Sequence, residues 1–259
     1  MDKNNFRFFT VAERPDLAQV VSKFPGQFWP LFMLQDPIAN RLFGPLYQTF
    51  AEYQFALIDT GTDGIVAVGN SIPLAFDADP HLLPDDGWDW ALQQGFEDLA
   101  GGLPLHCLCA LQIVIDPKYR SLGLSTRMVL RMREIASAHS LNRLFAPVRP
   151  NQKSLYPLIP MEKYIRWKSE DGLPFDPWLR THTRLGADII RVCPSAMRIP
   201  GSVPDWETWT SMRLPETGEY IIPGALVPVR IDREANLGLY VEPNVWMCHQ
   251  LGNSAARKS

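Results

Sequence analysis

The chain has 259 residues, 46% of them apolar, and a formal net charge of −3. Such a length gives ample core for one large domain or two small ones. A charge so close to neutral gives no reason to expect nucleic acid or an anionic membrane surface as a partner, and no apolar run is long enough to span a bilayer. Cys107, Cys109, Cys193 and Cys248 contain no C-x-x-C pair, and the start, Met1-Asp2-Lys3-Asn4-Asn5, lacks an apolar signal region. Both point to reduced thiols and a cytoplasmic protein. With 23 Pro and 8 Trp, long ordered loops and extensive aromatic packing are expected.

Taken in order, residues 6–11 read as a first strand, and Pro15-Asp16-Leu17 opens a short helix with Pro in its first turn. Residues 25–37, rich in Pro and aromatics, read as loop mixed with short helix, and 38–50 as a second helix. Apolar runs at 54–59 and 65–76, joined by Thr60-Gly61-Thr62-Asp63-Gly64, predict a β-hairpin. The triplet Asp59-Thr60-Gly61 also spells an aspartic-protease signature. It occurs once, in a turn, where Asp-x-Gly is ordinary turn chemistry, so that reading is rejected.

Residues 88–99 have a helical pattern, with Asp85 or Asp86 as candidate caps. A strand follows over 105–115, then a turn and a helix from Leu124, then a strand over 143–148. Short helices are expected at 161–167 and 176–185, and a strand at 188–193. The Trp- and Gly-rich stretch 206–223 reads as irregular, and 225–231 with 239–247 as a last hairpin. No repeat or low-complexity linker appears, so residues 1–250 are expected to form one elaborated domain, followed by a polar tail at 251–259.

The stretch from Leu111 to Ala138 carries the most chemistry. Leu111, Ile113 and Ile115 alternate with Gln112 and Val114, and Asp116-Pro117 ends the strand. Leu124, Met128, Met132 and Ile135 then recur at helical spacing. The turn between them reads Arg120-Ser121-Leu122-Gly123-Leu124-Ser125. A helix start offers free N–H groups and partial positive charge, Gly lets backbone approach a phosphate, and Arg adds a charged fork. A diphosphate is the natural guest. Neither the G-x-x-x-x-G-K-[ST] nor the G-x-G-x-x-G loop is present.

The pattern R-x-x-G-x-S at a strand-to-helix turn resembles the GNAT acyltransferase superfamily, whose signature is [QR]-x-x-G-x-[GA]. Arg120 and Gly123 match, and Ser125 replaces the family's Gly or Ala. The resemblance implies a mixed α/β fold, with a mostly antiparallel central sheet flanked by helices and, here, C-terminal insertions. It implies acetyl-CoA or another acyl-CoA as co-substrate, with no metal, and a small-molecule amine as acceptor. It places the cofactor on Arg120, Ser121, Leu122, Gly123, Leu124 and Ser125, and the thioester carbonyl against backbone N–H groups of Ile113, Val114 and Ile115.

Asn151 and Tyr156 resemble the Asn and Tyr that GNAT proteins place after the fifth strand near the sulfur. Tyr156 is thereby a candidate acid for the departing thiolate, with Tyr164 in reserve. Alternatively, Tyr156 anchors its loop by packing. Lys153 and Arg149 are candidates for the phosphates of coenzyme A, or solvated surface charge. Glu162 and Glu97 are further candidate bases, and Trp88, Trp90, Trp178, Trp206 and Trp209 candidate walls of an acceptor pocket.

Asp176-Pro177-Trp178-Leu179-Arg180-Thr181-His182, then Gly186-Ala187, is similar to a pattern in GNAT-like loading decarboxylase/acyltransferases of polyketide synthases. That likeness makes His182 a second catalytic candidate, a base or acid whose ordinary pKa lies near working pH. The other reading is a helix-end His bonded to backbone. The matching Arg is displaced to Arg198, and no Thr stands at 146–149. The expectation is an N-acetyltransferase of a small amine. The alternatives are an S-acyltransferase or acyl-CoA decarboxylase serving an acyl carrier protein, or a non-catalytic binder of a coenzyme A-type ligand.

Overall fold

The computed structural model of the chain describes residues 5–251, so the polar tail lies outside the described residues from 252 onward. The strands are β1 (Phe6–Thr10), β2 (Gln54–Asp59), β3 (Gly64–Leu74), β4 (Cys107–Ile115), β5 (Arg143–Val148), β6 (Asp188–Gly201), β7 (Gly218–Tyr220), β8 (Val229–Asp232) and β9 (Leu237–Gln250). The helices are α1 (Ala18–Lys23), α2 (Pro37–Thr49), α3 (Gly87–Ala100), α4 (Leu124–Ala138), α5 (Met161–Tyr164), α6 (Pro177–Arg184) and α7 (Val203–Thr210). The described strands form one nine-stranded sheet in the order β1-β2-β3-β4-β5-β9-β8-β7, with β6 also paired to β9. Every pair is antiparallel except β4 with β5. The fold expected from the turn motif is therefore the fold observed.

The helices cover both faces because each has one apolar stripe to bury. Leu124, Met128, Met132 and Ile135 are all buried, packing α4 on one face with Leu57, Ala67, Leu108 and Leu144. On the other face Leu46 of α2 and Ala91 and Leu92 of α3 join Ile72, Leu111 and Trp246. Local signals start the helices. Asp36 accepts from Ala39 N at 2.8 Å ahead of Pro37, and Ser202 and Asp205 form a reciprocal capping box on α7.

Three expectations are corrected. The strand expected to end at 193 continues to Gly201 in β6, across a register shift that absorbs Pro194 between Cys193 and Met197. Among the described residues β6 borders only β9, so on its other edge a missing N–H breaks no ladder. The stretch read as irregular from 206 contains most of α7 and all of β7. Asp86 stands at the N-cap of α3 but does not cap it; its carboxylate accepts from Ser195 Oγ, and Asp85 pairs with Arg191. The Asp59 triplet is a turn, Asp59 Oδ1 accepting from Gly61 N.

Candidate active site between two diverging strands

β4 and β5 pair only through Cys107–Arg143, Leu108–Leu144 and Cys109–Phe145. Beyond that, β4 continues through Ala110–Ile115 bonded only to β3, and β5 through Ala146–Val148 bonded only to β9. The two strands diverge, and the edges they turn to each other carry backbone groups free to bond an inserted extended chain. A register shift at Asn70/Ser71 leaves Leu111 as an extra, unpaired residue in β4, between the Asn70–Gln112 and Ser71–Ala110 pairs. Its carbonyl accepts from Trp88 Nε1 at 2.7 Å, which holds the bulge in place.

A cleft of about 900 Å³ opens in this gap. Ile113, Val114, Ile115, Arg120, Ser121, Gly123, Leu124, Ser125, Asn151 and His182 all line it. Trp88 and Trp178 line it as well. At one end the chain leaves β4 through Asp116, whose carboxylate accepts from Lys118 N, and turns into α4. Ser121 and Gly123 are both left-handed, at φ 66 and 72. The first is uncommon for a residue with a side chain, and left-handed residues in a turn are the backbone geometry from which anion-binding concavities are built. A Cβ built on Gly123 would meet nothing within 4 Å, so open space lies where a phosphate would approach. Arg120 is exposed beside it. The residues present thus fit a diphosphate.

His182 comes to the cleft through the buried Asp176. That carboxylate caps α6 by accepting from Trp178 N (2.9 Å) and Leu179 N, and also accepts from Asn151 N, Gln152 N and Tyr164 Oη. The Asp-Pro of the C-terminal motif is therefore a junction of three segments, and it fixes the angle at which α6 enters. Nδ1 of His182 lies 2.9 Å from Nε2 of His249 on β9. The Nε2 of His182 makes no hydrogen bond among the described residues, and the residue, only 2% exposed, lines the cleft. Burial, with His249 alongside, pushes His182 down to about 3; burial, with Arg133 nearby, pushes His249 down to about 4. Both rings are neutral at neutral pH. The expectation of a proton equilibrium near working pH is corrected: burial outweighs any partner that would hold the charge.

Other expected residues stand elsewhere. Tyr156 does not line the cleft; its ring packs 5.0 Å from Trp167 and 6.0 Å from both Tyr164 and Phe175. Tyr164 is buried with its hydroxyl on Asp176. Lys153 is fully buried, donating Nζ to the carbonyls of Tyr156 and Leu226, and burial lowers it to about 8. It is a strut between loops and cannot reach a phosphate. Leu122 turns to the apolar cluster under α4 rather than to the cleft. Glu97 and Glu162 are exposed and lie off the cleft. Trp206 and Trp209 pack on each other at 5.2 Å, and Trp90 packs on Trp246; none of the three lines it. Arg198 is exposed, its backbone N–H on Asp89.

The sequence reading missed one group of cleft residues. For Arg149, just past β5, the sequence predicts a phosphate contact or solvated surface charge. Its Nε instead donates to both oxygens of the fully buried Glu242 at 2.9 Å, and its Nη2 to the Gly224 carbonyl at 2.6 Å. Glu242 also accepts from Tyr240 Oη at 2.7 Å and Asn244 Nδ2 at 3.1 Å. Tyr240, Glu242 and Asn244 alternate onto one face of β9 where neither β5 nor β8 pairs with it. The Trp29 ring lies 5.6 Å from the Arg149 guanidinium, and Trp29 Nε1 donates to Gln112 Oε1 of β4 at 3.2 Å. The only sequence signal for this group was an aromatic loop at 25–37 and a lone acid inside a late strand.

The chain is 32% identical, over 93% of both sequences, to the arginine N-acetyltransferase avaD of Aspergillus versicolor. Among solved structures it resembles the loading GNATL domain of CurA from Lyngbya majuscula, with a TM-score of 0.63 and 18% identity over 95% of this chain and 98% of that one. It also resembles the GNAT-like decarboxylase GphF in complex with isobutyryl-CoA, with a TM-score of 0.55 and 16% identity over 95% of this chain and 98% of that one. No protein-family profile matches the chain.

Proposed function

The chain belongs to the GNAT acyltransferase superfamily, and we propose that within it the protein transfers an acetyl group from acetyl-CoA to a small amine. One observation carries this reading: the gap between β4 and β5 opens directly onto the turn Arg120–Ser125, in a single cleft. Coenzyme A has a diphosphate at one end and an extended arm with two amides toward the thiol. The turn suits the diphosphate and the facing strand edges suit the amides. We take residues 1–250 as one domain, because β9 is shared between the strands before the cleft and those after it.

In the proposed reaction the amine nitrogen attacks the thioester carbonyl. A C–N bond forms, the carbonyl oxygen takes negative charge, and the C–S bond breaks. Free N–H groups of β4 in the Ile113–Ile115 stretch stabilise the oxyanion. One proton must leave the nitrogen and one must reach the sulfur. His182 Nε2 lines the cleft as a neutral imidazole and takes the first proton and gives up the second. Because burial disfavours its charged form, it acts as a relay and does not store the proton. His249 holds the ring from behind.

The name of the avaD relative makes arginine the first acceptor to test. A panel of amines with acetyl-CoA, read as free thiol and as acetylated product by mass spectrometry, decides the matter. Thiol release without acetylated amine, or none with any amine, rejects N-acetyl transfer. The decarboxylase alternative draws on the His182 match but has Arg198 outside the cleft and no Thr at 146–149.

A further inference from the structure

The geometry points to a carboxylate-recognition site in the acceptor half of the cleft: we propose that Arg149 presents Nη1 to a free carboxylate on the amine, so that the acceptor is an amino acid and not a simple alkylamine. The inference deepens the N-acetyltransferase reading and rests on it for the word acceptor.

The residues lining the cleft include three with formal charge: Arg120, Arg149 and Glu242. Arg120 belongs to the turn at the diphosphate end. Glu242 is fully buried, and both its oxygens are taken by Arg149 Nε, Tyr240 Oη and Asn244 Nδ2. It has no capacity left for a cationic ligand. Arg149 is different. Its Nε and Nη2 are committed to Glu242 and Gly224, while Nη1 makes no hydrogen bond among the described residues and the side chain keeps 20% of its surface exposed.

The guanidinium is held at three points, by the Glu242 carboxylate, the Gly224 carbonyl and the Trp29 ring, so little rotamer freedom is lost when a ligand binds. Trp29 in turn is tied to Gln112, the neighbour of Ile113, which places Arg149 across the gap from the strand assigned to the thioester. Met33, Phe43, Trp88 and Met197 supply apolar wall for the rest of the acceptor. A rigid, always charged donor in a largely apolar cleft selects an anionic oxygen, and a carboxylate is the anion an amine substrate most simply carries.

The test uses the full chain saturated with coenzyme A, so that no turnover occurs, and calorimetry with L-arginine, L-argininamide and agmatine. These share the side chain and differ at the carboxylate. L-arginine should bind at least tenfold more tightly than either of the others, in line with a hydrogen-bonded charge pair. Arg149→Lys keeps a positive charge on Glu242 but withdraws Nη1. It should erase that preference while coenzyme A affinity stays within about twofold. Equal affinity of the three amines in the wild-type protein, no binding of L-arginine, or a preference that survives in R149K overturns the inference. A tenfold fall in coenzyme A affinity in R149K also overturns it, because Arg149 would then serve the phosphates. Thiol release from acetyl-CoA with the same amines reports separately on acetyl transfer. Preference without turnover retires that reading and leaves the carboxylate site standing; turnover without preference does the reverse.

Discussion

The two halves of the cleft are built on different principles. The half we assign to coenzyme A is one continuous segment, from the bulge at Leu111 to the first turn of α4, and it works through backbone: a free strand edge, two left-handed residues and a helix start. The half we assign to the acceptor comes from four separated places: Trp29, Arg149, Gly224 and the Tyr240–Asn244 stretch of β9. It works through side chains held by one buried ion pair. A backbone device is robust to most side-chain changes and leaves a spacing in the sequence. A side-chain device depends on each partner and leaves none. Mutations in the two halves should therefore fail in different ways.

The largest effect is expected in the acceptor half, and on stability. Glu242→Gln leaves the Arg149 guanidinium without its counter-charge next to a fully buried position. Breaking one partner of such a pair costs roughly 3–5 kcal/mol. Urea unfolding should show a loss of that order, and a loss under 1 kcal/mol would mean the pair does not hold this half together.

Next is the residue between the halves. His182→Gln should lower kcat by about 100-fold if the relay operates, with acetyl-CoA affinity unchanged. Since burial keeps His182 and His249 neutral, wild-type kcat should show no inflection near pH 6–7 from this pair. The sign for stability follows. An unfolded imidazole gains its proton below about pH 6.5, and the folded pair does not until about pH 3–4. Stability is therefore full above pH 6.5 and falls as pH drops below it, by roughly 1.4 kcal/mol per pH unit for each ring. Urea midpoints at pH 7 and pH 5 should fall less in His182→Gln than in wild type. An equal fall would place the rings in solvent.

In the coenzyme half the damage should appear in binding. Gly123→Val puts a branched side chain into the open space at a left-handed residue. Affinity for coenzyme A should drop by about 30-fold, roughly 2 kcal/mol, and the backbone strain adds about 1–2 kcal/mol of fold destabilisation. Unchanged affinity would remove the turn from the coenzyme site. The smallest effect is expected at Tyr156. In Tyr156→Phe the ring stays against Trp167, and kcat should stay within about twofold, far from the 10²-fold or more of a lost general acid. A 100-fold drop would restore Tyr156 to the chemistry.

How much could be read from the sequence follows the same division. The stripe from Leu124 to Ile135 and the Gly123 turn are local, and the structure has both where the spacing put them. The strand over Leu111–Ile115 is there too, but the bulge at Leu111 breaks the expected alternation, with Leu111 packing on the α2 and α3 side and Ile113 and Ile115 on the α4 side. Asp176-Pro177 marked a helix start for the same reason, although its role as a junction for Asn151, Gln152 and Tyr164 depends on contacts across the fold. Tyr156 and Lys153 followed from order along the chain. Whether each faces a cleft or a core is decided by how the loop after β5 folds back on Phe175 and Leu226. Arg149 looked like surface charge because its partner lies ninety-three positions away, and nothing local marks Glu242 as buried. Pro194 hid the second half of β6 because a Pro signals a strand end unless the strand lies at an edge.

The central claim is that acyl-CoA lies between the diverging ends of β4 and β5 with its diphosphate on the Arg120–Ser125 turn. Backbone hydrogen exchange with and without acetyl-CoA tests it most directly. The account predicts new protection concentrated in residues 110–115, 120–125 and 146–148, with β1, β2 and β7 unchanged. Protection that appears elsewhere while residues 110–115 and 120–125 exchange as before would contradict it.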